Sequence, residues 1–84
     1  MSKYSPLRRY LSGLPLDKQE VTISFDHVER IIGDTLPNSA NRYLEWWSKV
    51  ENGSHVQAHA WMNANWTVQT VNLNEKWVRF RRER

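Results

Sequence analysis

The chain contains no cysteine, which excludes a disulfide scaffold, a Cys-ligated zinc site and an iron–sulfur cluster. Glycine and proline, three of each, are too scarce for a low-complexity or collagen-like polymer. No apolar run approaches the ~18 residues of a membrane span, and residues 1–11 lack the apolar stretch of a signal peptide. A soluble cytoplasmic protein with no membrane partner is expected. There is no glycine-rich phosphate loop, no serine elbow and no paired-carboxylate motif. The spacing suggests no nucleophile–base pair, and so short a chain offers little volume for a deep pocket. The sequence therefore points away from an enzyme and implies no catalytic residue, no metal and no cofactor.

Eighty-four residues suit a single domain, and an apolar fraction of 39% supplies a modest core. The formal net charge of +3 conceals an uneven distribution. Residues 1–11 and 76–84 together carry eight bases against the single acid Glu83, whereas residues 12–75 carry four bases and eight acids. Basic ends around an acidic middle suit a polyanionic partner. A solvated basic tail is the plainer alternative.

Periodicity divides the chain into seven elements. Pro6 opens a helix over 6–12, with Leu7, Tyr10 and Leu11 on one face and Gly13 and Pro15 beyond its end. Residues 20–25 alternate as a half-buried strand, with Val21, Ile23 and Phe25 on one side. A second helix spans 26–33, capped by Asp26 or Ser24, and Gly33 supplies a left-handed stop. Asn38 or Ser39 caps a third helix over 38–49, in which Ala40, Tyr43, Leu44, Trp47 and Val50 form an apolar stripe. A fourth helix covers 55–64. Residues 66–73 and 76–82 form a β-hairpin, for which strand 20–25 is the natural third partner. Along 66–73, Trp66, Val68, Thr70 and Asn72 oppose Thr67, Gln69, Val71 and Leu73. Along 76–82, Trp77, Arg79 and Arg81 oppose Val78, Phe80 and Arg82.

The predicted fold class is α+β. It comprises helix-turn-helix-like helices with a three-stranded antiparallel sheet, the order of a winged helix with one added helix. In that reading residues 25–49 are the helix-turn-helix and hairpin 66–82 is the wing.

Several phrases carry a resemblance: Tyr4-Ser-Pro-Leu7, Phe25-x-x-Val-Glu29-x-Ile-Ile-Gly33, Leu36-Pro37-x-Ser-Ala40, Trp46-Trp47, Ala60-Trp61 and Val78-x-Phe80-x-Arg82. Together they resemble a small uncharacterised bacterial family, found as free-standing proteins and as modules of larger, partly nuclease-like proteins. The resemblance implies a compact accessory domain and brings no activity with it. Between Ala64 and Trp66 it leads one to expect glycine, where this chain has Asn65. Asparagine tolerates a left-handed backbone better than most residues.

Five tryptophans are the most informative excess. Trp47, Trp61 and Trp66 fit the core, Trp46 sits ~100° from the core stripe, and Trp66 and Trp77 are placed to pair across the hairpin. The third helix is the best nucleic-acid candidate. Asn38, Ser39 and Asn41 lie at its N-terminus, where free N–H groups favour phosphate. Arg42 is suited to guanine and Asn41 to adenine. Trp46, Ser48 and Lys49 extend the same side, while Glu45 opposes phosphate unless it pairs with Arg42 or Lys49. Arg79 and Arg81 share one strand face and suit nonspecific phosphate contacts. His55 and His59 share a helix face but lack a third ligand. A DNA-binding domain that reads duplex DNA is the leading expectation. A protein-docking module using Trp46 and Trp77, or a homodimer, is the alternative.

Overall fold

Proline fits the first turn of a helix because its missing N–H has no partner there anyway. In the computed structural model, which describes residues 3–48 and 57–83, α1 accordingly runs Ser5–Ser12 with Pro6 in its first turn. It buries Leu7 and Leu11 and leaves Tyr10 half-buried, the face expected from the i, i+3, i+4 spacing. Strand β1 (Glu20–Ser24) leads without a loop into α2 (Phe25–Ile32). Of the two candidate caps, Ser24 serves: its Oγ accepts the His27 N–H at 3.0 Å. Gly33 ends α2 at φ 72°, the left-handed stop that a side chain would strain.

The turn into α3 is tied by a carboxylate. Glu29 Oε2 accepts the Leu36 N–H at 2.8 Å, which fixes the entry of Leu36 into the core. Helix α3 is short, Asn38–Arg42, and is followed by a 3₁₀ turn, Leu44–Trp47. The continuous helix expected over 38–49 is therefore broken at Tyr43, whose backbone is extended (φ −127°, ψ 126°). The cause is a buried indole. Trp47 Nε1–H donates to the Ala40 carbonyl at 2.9 Å, an oxygen that a continuing helix would give to the Leu44 N–H. A buried Trp N–H needs an acceptor, and folding the chain back at Tyr43 supplies one. Neither Asn38 nor Ser39 caps α3, because Pro37 holds the cap position and no side chain bonds there.

Helix α4 spans Ala58–Met62, shorter than the 55–64 expected; residues 55 and 56 lie outside the described residues. Asn63–Asn65 form a turn rather than a last helical turn, ending at Asn65 with φ 65°. Strands β2 (Trp66–Asn72) and β3 (Trp77–Arg82) form the hairpin, and the sheet order is β1-β3-β2, all antiparallel. A bulge between Val68 and Thr70 shifts the alternation by one. In register, Trp66, Val68 and Val71 lie with Arg82, Phe80 and Val78, whereas Thr67, Thr70 and Asn72 lie with Arg81, Arg79 and Trp77. Trp66 and Trp77 are therefore on opposite faces and do not pair.

The core sits between the helices and the Val78–Phe80 side of the sheet. An aromatic ladder crosses it: Phe25 of α2 stacks on Trp47 at 5.1 Å, Trp47 on Trp61 of α4 at 5.9 Å, and Trp61 meets Phe80 of β3 at 5.6 Å. Trp66 is fully buried and donates to the Leu11 carbonyl at 3.2 Å. Gln57, a buried polar residue, donates from Nε2 to the Trp46 carbonyl at 2.9 Å and so joins the start of α4 to the 3₁₀ turn. The expected assignment of Trp47, Trp61 and Trp66 to the core holds.

The backbone at Asn65 gives a direct test. Its carbonyl accepts the Glu83 N–H at 2.7 Å, so this left-handed residue fixes the start of the hairpin. Asn65→Gly should leave stability unchanged or raise it by up to about 1 kcal/mol. Asn65→Val should lower it by about 1–2 kcal/mol, since a branched side chain is strained at positive φ. Urea midpoints ranking valine above glycine would contradict the left-handed turn.

Candidate nucleic-acid interface

Residues 38–42 make about one and a half helical turns, and that length governs what the site can present. Asn38 and Arg42 are exposed, while Ser39 and Asn41 are half-buried. Asn41 Nδ2–H lies 3.4 Å from the Pro37 carbonyl. Arg42 makes no ion pair among the described residues, where Lys3–Asp34 is the one salt bridge. So short a helix aligns few peptide dipoles and is no anion site in itself, which removes the expected phosphate pocket at its N-terminus. Glu45 does not pair with Arg42.

Beyond the break, the expected polar side of the third helix is dispersed. Trp46 is half-buried, edge-on to Tyr4 at 5.9 Å and to Trp47 at 4.7 Å. It is packing material more than a stacking surface. The Ser48 hydroxyl donates to the Glu45 carbonyl at 2.7 Å, closing the 3₁₀ turn. Lys49 and His55 lie outside the described residues, and His59 is exposed. Among the described residues no group of three His, Cys, Asp or Glu side chains is placed to hold a metal ion.

The break also turns two apolar side chains outward. Tyr43 and Leu44 belong to the expected core stripe, yet they are 54% and 58% exposed. Leu44 borders a groove of about 350 Å3 whose apolar walls are Trp47, Trp61, Val68 and Val71. Sequence reasoning missed this surface. The available signal was the density of weak helix formers at Asn41, Tyr43, Trp46 and Trp47.

Arg79 and Arg81 occupy a different surface. They project from β3 with Trp77, on the side opposite Val78 and Phe80. Phe80 leads through Trp61 and Trp47 to the 3₁₀ turn, so the two arginines point away from α3. The residues expected to act together thus divide between two surfaces. Arg82, on the core side, is structural: its guanidinium lies over Trp66 at 4.5 Å and donates to the Lys18 and Pro15 carbonyls, each at 2.8 Å. Of the N-terminal bases, Lys3 is paired with Asp34 at 3.4 Å. The Thr35 N–H, and then the Lys3 charge, hold the Asp34 carboxyl below its usual range. Arg8 and Arg9 remain exposed on α1.

These features define a small α+β domain with an aromatic core and arginines at the surface of α1, of α3 and of the outer face of the sheet. The chain belongs to the family described as Domain of unknown function (DUF7662), whose model matches residues 4–83. That match runs from the residue before α1 to the residue after β3. No curated protein and no solved structure matches the chain. Among the described residues no helix is long and apolar enough to cross a membrane.

Proposed function

We propose that the domain binds duplex DNA, with α3 reading base edges. The observation that carries this reading is Arg42, exposed at the end of α3 and without a carboxylate partner among the described residues. Its guanidinium fork is free to bridge N7 and O6 of a guanine. Supporting it is the order helix, strand, helix, helix, hairpin, interrupted before the hairpin by the 3₁₀ turn and the added helix α4, with sheet order β1-β3-β2. This is the order of a winged helix with one helix more, and in a helix-turn-helix the second helix of the pair enters the major groove. The shortness of α3 narrows the reader to Arg42 and Asn38, with Asn41 behind them. Arg8 and Arg9 on α1 are available for phosphate contacts, which hold without specifying.

Arg42→Ala tests the assignment. It should relax the preference among duplexes selected from a random pool by about 1–3 kcal/mol at one position, while affinity for unselected DNA falls less. A folded Arg42→Ala protein that discriminates as the wild type does would remove α3 from the interface.

Exposed Tyr43 and Leu44, beside the groove, favour a second reading as a protein-docking module. Such docking centres on a buried aromatic or aliphatic anchor and depends weakly on salt, whereas phosphate binding depends on it steeply.

A further inference from the structure

We infer that the outer face of the sheet is a platform for single-stranded DNA, separate from α3; this deepens the nucleic-acid reading and rests on it. Trp77, Arg79 and Arg81 alternate along β3, the central strand. Their register neighbours are Ser24, Thr22 and Glu20 on β1, and Asn72, Thr70 and Thr67 on β2. The face therefore presents one half-exposed indole, two guanidinium groups, a surround of short hydroxyl and amide side chains, and one carboxylate, Glu20, opposite Arg81. The outer face of β3 carries two arginines and no acid, against that single carboxylate of β1, so the face is net positive and its complement is anionic.

Arg79 is already held in place. Its Nε–H donates to Thr22 Oγ1 at 3.0 Å, and the guanidinium lies over the Trp77 ring, 5.0 Å from the centroid. A side chain fixed by two neighbours loses less entropy when a ligand arrives. Its plane offers a surface on which an unpaired base stacks, and its remaining nitrogens are donors for phosphate. Neither Arg79 nor Arg81 makes an ion pair among the described residues. Arg81 is exposed beside a hollow of about 760 Å3 that Gln19, Glu20, Thr67, Arg82 and Glu83 also line. The two acids there confine a phosphate to the Arg79 side of Arg81.

Spacing selects the form of the ligand. Alternate residues on a strand lie about 6.6–6.8 Å apart, twice the ~3.4 Å rise per nucleotide of a stacked strand. Successive contacts along Trp77, Arg79 and Arg81 therefore match adjacent nucleotides only where their bases are unstacked. A duplex keeps its base faces hidden, so only a single strand can use a stacking surface.

The test titrates the intact chain with a short oligo-dT strand and, separately, with a mixed-sequence duplex. Arg79→Gln combined with Arg81→Gln should weaken oligo-dT binding about tenfold or more and flatten its salt slope by about 0.7 for each phosphate no longer neutralised. Duplex binding should stay unchanged. Trp77→Leu should weaken oligo-dT binding in the same way; the double arginine variant keeps the test valid if that protein fails to fold. Unchanged oligo-dT affinity in the folded arginine variant, or duplex binding without oligo-dT binding in the wild type, overturns the platform and leaves the α3 reading standing. Loss of oligo-dT binding in the sheet variants, with Arg42→Ala indifferent for duplex, supports the platform and removes α3. Failure of the wild type to bind either probe overturns both.

Discussion

Trp47→Ala should cost about 3–5 kcal/mol of folding stability, read as a shift of the urea or thermal midpoint. Trp47 is almost fully buried and stands between Phe25 and Trp61 in the aromatic ladder. Its removal opens a cavity where α2, the 3₁₀ turn and α4 meet. It also frees the Ala40 carbonyl, whose partner is the indole N–H. Small domains typically hold only about 5–15 kcal/mol in total, so this one substitution threatens the fold. Trp47→Phe separates the two contributions: it keeps a ring in the ladder and should cost about 1–3 kcal/mol, mainly for the unsatisfied carbonyl. A loss below about 1 kcal/mol for the alanine variant would mean that the turn does not depend on this side chain.

Arg82→Ala should be the more damaging of the changes to the basic C-terminal strand, lowering stability by about 1.5–3 kcal/mol. The guanidinium ties β3 to the loop after α1 through two carbonyls and covers the Trp66 ring. Its bonds lie at the surface, which places the expected value toward the lower end. Arg81→Gln, one residue away and exposed, should stay within about 0.5 kcal/mol of wild type. Adjacent arginines are thus expected to separate by role, one holding the fold and one free for a ligand. Equal losses for both would contradict the division of the strand into a core face and an outer face.

Alternation along 76–82 already places Arg82 with Val78 and Phe80, so its structural role is legible in the sequence. The same holds for α1, β1 and α2, whose signals are local: Pro6, the Val21–Ile23 alternation, and Ser24 and Gly33 at the two ends of α2. Asn65 is legible too, since few residues accept a left-handed backbone after a helix. What the sequence hides depends on contacts between distant residues. The helical period of Ala40, Tyr43, Leu44 and Trp47 is genuine, but the need of the Trp47 indole for an acceptor overrides it and turns Tyr43 and Leu44 to solvent. The bulge at Val68–Thr70 reverses the faces of β2 after Gln69, and parity counting passes over one extra residue without a mark. Both departures fall on the candidate site: the first shortens the reading helix, the second puts Thr67 and Thr70 on the face of Arg79 and Arg81. Gln57 and Glu29 give no signal of their own, because a polar residue that satisfies a backbone group resembles any surface residue in sequence.

The most direct measurement is the affinity of the wild-type chain for a mixed-sequence duplex across a salt series. DNA binding through arginine–phosphate contacts requires log K to fall linearly with log salt, with a slope of about −0.9 for each phosphate neutralised. Arg8→Gln with Arg9→Gln should flatten that slope by up to about two such contacts. An affinity independent of salt, or no binding at low salt, would contradict the duplex-binding function proposed for α3.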